Sequence, residues 1–178
     1  MHTLARAIPA RVAAAALLLA GAAGCDVKTS DRDLILLDPP GAVDTLNART
    51  GMFEKETVGC WVDPRGAEAY AKGHIAGAIN VPLASMQETA AVKLAGHNLF
   101  VVYGDGFQDP LAKAGAKRLL EVGFKKGTVF VLEGGTRAWQ KDGYTLVTGN
   151  APAGGALPVK DAKPASTGGV EVPEQGVR

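Results

Sequence analysis

The chain has 178 residues, 47% of them hydrophobic and 21% charged, with a formal net charge of +1. That is enough apolar material for one domain with a core of its own, and the charge balance carries no footprint of a nucleic-acid binder. Two cysteines exclude a disulfide-built scaffold, so stability has to come from packing.

The first 24 residues differ in kind from the rest. Arg6 and Arg11 are their only charged residues, and Val12 to Ala23 is an unbroken apolar run rich in Ala and Leu. At about 12 residues the run is shorter than the roughly 20 needed to span a bilayer. A basic start, a short apolar middle and small residues before a cut predict an export signal over 1–24. The cut falls at Ala22-Ala23-Gly24-Cys25, which resembles the lipobox of bacterial lipoproteins. In that resemblance Cys25 carries acyl chains such as palmitate, and more than one chain makes membrane anchoring stable. Residues 25–33 then form a linker, and the protein is expected in the bacterial cell envelope, lipid-anchored and facing the periplasm or exterior.

From residue 34 to 149 short apolar runs alternate with helical stretches. Leu34 to Leu37 predicts a first strand, ended by Asp38-Pro39-Pro40, and Gly41 to Arg49 a short helix. Val58 to Val62 predicts the second strand, Gly66 to Lys72 a helix closed by Gly73, and Ile79 to Val81 a third strand stopped by Pro82. Ser85-Met86-Gln87-Glu88 fits a capping box before a helix over Ala90 to Ala95. Leu99 to Tyr103 reads as a buried strand, Thr128 to Leu132 as the fifth, and Gly134-Gly135 introduces a helix carrying Trp139. Five apolar strands alternating with helices argue for an α/β domain with a parallel sheet covered on both faces. Beyond it, residues 150–178 hold four prolines, five glycines and no aromatic residue, a composition that predicts a disordered tail.

The stretch around which the chain is organised is Leu99 to Gly123. After the strand, Gly104, Asp105, Gly106, Phe107, Gln108 and Asp109 form a glycine-rich loop aimed at a helix. Asp109 reads as that helix's N-cap, with Pro110 at its first position, and Leu111, Gly115, Leu119 and Val122 recur on one face until Gly123 stops it. A loop aimed at a helix N-terminus presents free N–H groups that favour an anion or a thiolate. This loop nevertheless contains no Cys, Ser, His, Lys or Arg.

Asp63-Pro64-Arg65 with Tyr70, then Gly73-His74-Ile75-Ala76-Gly77-Ala78-Ile79-Asn80-Val81-Pro82, resemble a rhodanese domain. Val102-Tyr103, Leu119-Leu120 with Gly123-Phe124, Glu133-Gly134-Gly135, Trp139 and Gly143-Tyr144 agree with it. The resemblance implies a five-stranded parallel domain whose active loop follows the fourth strand. It also implies a cysteine directly after that strand, which carries sulfur as a persulfide; here Gly104 holds the position. A second cysteine or an arginine further along, as some members place it, is matched here by Asp109.

The physical chemistry of the loop points the same way. A persulfide needs donors and positive potential, whereas Asp105 and Asp109 oppose the entry of an anionic sulfur donor. If Asp109 caps the helix, its carboxylate takes the N–H groups that would hold an anion. Among the other residues, Cys60 in mid-strand reads as a small buried hydrophobe, and Asp63, Arg65, His74, Gly134 and Gly135 read as architectural. No metal-ligand spacing and no cofactor motif occurs. Phe107, at the loop tip, is the residue most suggestive of contact with something else, although folding back onto the domain is the stronger expectation. The reading is a membrane-anchored, non-catalytic module binding a partner protein or small ligand through this loop. The alternatives are sulfur transfer by an atypical route through Cys60 or a partner thiol, and a purely structural envelope lipoprotein.

Overall fold

The computed structural model describes residues 29–47, 57–107 and 109–149. The export signal, Cys25, Gln108 and the tail therefore lie outside the described residues. Five strands, β1 (Ile35–Leu37), β2 (Gly59–Asp63), β3 (Ile79–Asn80), β4 (Leu99–Val102) and β5 (Val129–Leu132), form one parallel sheet in the order β1-β5-β4-β2-β3. The helices are α1 (Pro39–Asn47), α2 (Ala67–Lys72), α3 (Met86–Lys93), α4 (Leu111–Val122) and α5 (Gly135–Lys141).

Period-two alternation along the strands divides the core into two layers. Cys60 and Val62 of β2, with Phe100 and Val102 of β4, pack with Ala90 of α3 and with Ala112, Ala116 and Leu119 of α4. The intervening Trp61 and Val101, with Tyr103, pack on the other face with Ala42 and Leu46 of α1, Tyr70 of α2 and Trp139 of α5. Burial on both faces is what makes the central strands read as continuous apolar runs.

Several boundaries differ from the sequence reading, each for a local reason. The Asp38 carboxylate accepts a hydrogen bond from the Gly41 N–H at 3.0 Å, so α1 opens at Pro39 instead of Gly41; proline is tolerated in a first turn, where its missing N–H is an orphan anyway. The Ser85–Glu88 capping box does not form. Ser85 donates its hydroxyl to the Pro82 carbonyl at 3.3 Å, and α3 begins directly at Met86 and ends at Lys93. A capping box occurs instead at Ser30 and Asp33, around a short 3-10 turn before β1. The buried stripe of α4 is Ala112, Gly115, Ala116 and Leu119, with Leu111 and Val122 half-buried at its margins. Small residues in that stripe let the helix lie close on the sheet. Among the described residues no helix is long and apolar enough to cross a membrane.

Candidate functional site

The site is built where β4 ends. The sheet's C-terminal edge brings together the ends of β2 and β4, and the loop at 104–109 rises between α4 and α5. Asp109 sits in the loop's last position and faces back into it. One of its carboxylate oxygens accepts from the Leu111 N–H at 2.9 Å, and the other accepts from the Asp105 N–H at 2.7 Å. It thus caps α4 and fills the loop's own N–H cradle at once. Pro110 has the helical φ of −73°, so the Asp109-Pro110 reading differs from the observed helix start by a single residue.

The same carboxylate controls Gly104. A Cβ placed on Gly104 would lie 2.5 Å from the Asp109 Oδ2 and 3.1 Å from its Cγ. Gly104 is not among the glycines with positive φ, so its backbone would admit a side chain. Space, not conformation, is the obstacle, and a side chain there would have to displace the Asp109 carboxylate.

The other side of the loop is tied to α5. The Thr136 N–H donates to the Gly104 carbonyl at 2.9 Å and the Arg137 N–H to the Asp105 carbonyl at 3.1 Å. Gly135 makes this approach possible. Its φ is +54°, and a Cβ there would overlap the Gly104 carbonyl.

The loop's sequence contains no cation, but the fold brings two beside it. Arg65, only 5% exposed, donates from Nη1 to the Asp105 carboxylate at 2.6 Å. Its Nε and Nη2 grip Asp63 at 3.0 and 2.6 Å, and Nη2 also donates to the Gly73 carbonyl at 2.7 Å. Burial pulls the guanidinium toward its neutral form, but the hydrogen bond and charge of Asp63 and the hydrogen bond to Asp105 outweigh this and raise its pKa. One buried arginine thereby joins β2, the 73–78 turn and the loop, and its single positive charge is shared between Asp63 and Asp105. The second cation, Arg137, is exposed, and its methylenes pack on Gly106. Asp105, Gly106, Phe107, Asp109 and Arg137 line a recess of about 280 Å³.

Of the remaining residues singled out in the sequence, His74 and Cys60 are placed apart from this recess. His74 is fully buried. Its Nδ1 lies 2.9 Å from the Tyr70 carbonyl, which can only accept, so Nδ1 carries the proton. The His74 ring stacks on Tyr70, and the next residue, Ile75, donates its N–H to the Tyr103 hydroxyl at 3.2 Å. Cys60 is paired in register with Phe100 on the far half of β4. Four residues of strand separate that register position from Gly104, about 13 Å. Burial pushes its thiol up to about 12. Gly134 supports Phe107, whose ring edge comes within 2.7 Å of where a Cβ on that glycine would stand. No group of three or more His, Cys, Asp or Glu that could hold a metal ion occurs among the described residues.

Sequence reasoning named Arg65 only as architectural and did not single out Arg137, and it foresaw neither beside the loop. Arg65 was legible as a strand-end charge but not as a contact across 40 positions. Nothing in the local sequence around Arg137 announces that α5 docks its first turn on Gly104.

The model of the rhodanese-like domain matches residues 47–142, more than half of the chain. The chain belongs to the rhodanese-like domain family. Solved structures agree with that assignment. A protein of Bacillus halodurans is 25% identical with a TM-score of 0.52, over 64% of this chain and 77% of that one. The rhodanese-like domain of an Anabaena protein is 26% identical with a TM-score of 0.50, over 68% and 86%. Thiosulfate sulfurtransferase of Pseudomonas aeruginosa is 24% identical with a TM-score of 0.51, over 71% of this chain but only 22% of that one, a likeness of fold. Among curated proteins no match was found. The rhodanese-like α/β domain with its five-stranded parallel sheet is therefore as the sequence led one to expect, and the fold is one that sulfurtransferases use.

Proposed function

We propose that this rhodanese-like domain is a non-catalytic binding module, held at a bacterial membrane through lipidated Cys25, that recognises its ligand with the loop 104–109. The observation that carries the reading is the position of the Asp109 carboxylate. It stands where a side chain on Gly104 would project, and it occupies the N–H groups of Asp105 and Leu111. In the family resemblance those groups surround a persulfide; here they hold the protein's own anion. Thiosulfate would have to displace a covalently attached carboxylate from these N–H groups, and the dianion would meet a negative charge. Sulfur transfer through Cys60 is opposed by its burial and raised pKa, and by its separation from the loop.

The test is thiosulfate-to-cyanide sulfur transfer by the full chain, by Gly104→Cys and by Gly104→Cys/Asp109→Ser. The native chain and the single variant are expected to be silent, with turnover confined to the double variant if any arises. Turnover in the native chain that vanishes in Cys60→Ala would overturn the non-catalytic reading. The anchor is checked separately by metabolic labelling with palmitate, which Cys25→Ser should abolish.

A further inference from the structure

The loop's partner chemistry is written in two exposed side chains that its internal bonding leaves unused. Inside the loop, the Asp105 and Asp109 carboxylates, their N–H groups and the carbonyls of Gly104, Asp105 and Gly106 all have partners within the domain. Those bonds preorganise residues 104–106 and 109, so a partner does not have to order them on binding. What it leaves facing solvent is Phe107, 71% exposed with one ring edge resting on Gly134, and Arg137 across the recess. Arg137 makes no ion pair among the described residues, unlike Arg65 and Arg118, which do.

An aromatic ring fixed at a loop tip and an arginine free to make a bidentate contact are the residue types that dominate binding energy at protein interfaces. The recess between them, about 280 Å³, falls just below the range of cavities that enclose a drug-sized molecule. It has room for an apolar side chain or two. Any anion arriving at its inner wall meets Asp105 and Asp109, so the complementary charge has to lie outward, on Arg137.

From this we infer that the occupant is a segment of a partner protein pairing an aliphatic or aromatic side chain with a neighbouring Asp or Glu. The apolar group packs on the Phe107 ring in the recess, and the carboxylate receives the Arg137 guanidinium. This rests on the reading of the loop as a binding surface and supplies its chemistry.

The experiment is selection of a random peptide library on the immobilised full chain, with parallel selections on Phe107→Ala, Arg137→Glu and Asp109→Ala. Both Phe107 and Arg137 are exposed, so their variants should fold as the native chain does. Peptides recovered on the native chain should place an acid within two positions of a large apolar residue. They should bind at least about tenfold more weakly to Phe107→Ala and to Arg137→Glu, the order of one hot-spot contact. Selection on Arg137→Glu should replace the acid with Lys or Arg. An empty selection, or peptides without an acid, would overturn the inference. Peptides lost on Asp109→Ala but kept on the other two variants would leave the loop as the binding surface and remove this partner chemistry. Peptides indifferent to all three would remove both. Binding to phosphatidylglycerol vesicles that is lost in Phe107→Ala would replace the protein partner with a lipid surface.

Discussion

Replacing Gly104 by alanine tests whether the Asp109 carboxylate truly holds the space above it. The new methyl would stand 2.5 Å from Oδ2 against an ordinary contact of 3.4 Å or more, so the carboxylate must turn away. Turning away releases the hydrogen bonds from the Asp105 and Leu111 N–H groups, 2.7 and 2.9 Å long. Bonds to a charged acceptor contribute about 1.5–3 kcal/mol when buried. These are partly exposed, so about 1 kcal/mol each is the better figure, close to the usual worth of a helix cap. Against this loss of about 2 kcal/mol, alanine restricts the unfolded chain and returns about 0.5 kcal/mol. Gly104→Ala should therefore destabilise the domain by about 1.5 kcal/mol. In an Asp109→Ala background the obstruction is gone, and the same substitution should be neutral or stabilise by about 0.5 kcal/mol. The change of sign corresponds to a coupling of about 2 kcal/mol, well above the few tenths expected of independent sites. Urea unfolding of the four chains in a double-mutant cycle reads it as a shift in midpoint of roughly half a molar or more. Equal effects of Gly104→Ala in both backgrounds would refute the reasoning.

Three other outcomes follow from the same geometry. In the native chain Cys60 should resist iodoacetamide at neutral pH and label only on unfolding, because a thiol near 12 has about a thousandfold fewer thiolates than one at 9.0. Since folding raises this pKa, its contribution is complete below pH 9 and lost as pH rises toward 12. Stability should fall by up to about 1.4 kcal/mol per pH unit in that window, a component absent from Cys60→Ala in pH-dependent urea melts. Arg65→Gln strips the buried Asp63 carboxylate of its counter-charge and should cost about 3–5 kcal/mol in thermal or urea unfolding, while releasing the loop through Asp105. Gly135→Ala puts a methyl onto the Gly104 carbonyl at a φ of +54°, and should cost at least about 3 kcal/mol. Amide exchange should show faster exchange at Thr136 and Arg137 in that variant.

Much of the architecture was legible from the residues in order. Alternating apolar runs and helical stretches announced a parallel sheet covered on both faces, and burial of Cys60 followed from its place in mid-strand. The glycine and aspartate pattern at 104–109 marked the loop, because backbone turns and caps depend on neighbours in the chain. The Ser85 capping box failed because Ser85 ends a 3-10 turn with a ψ of 6° instead of the extended cap conformation, and its hydroxyl turns back to the Pro82 carbonyl. The two prolines after Asp38 opened a helix because a carboxylate stood ready to cap it.

What the sequence determined by itself is the strand and helix order, the loop's position and its lack of Cys, Ser, His, Lys and Arg, all set by local residue type and period. What only the tertiary structure decided is the charge of the site. Arg65 reaches Asp105 across 40 positions, and Arg137 comes to the loop because Gly135 lets α5 dock on the Gly104 carbonyl. Contacts of that kind depend on distance through space, which the spacing of residues along a chain does not carry.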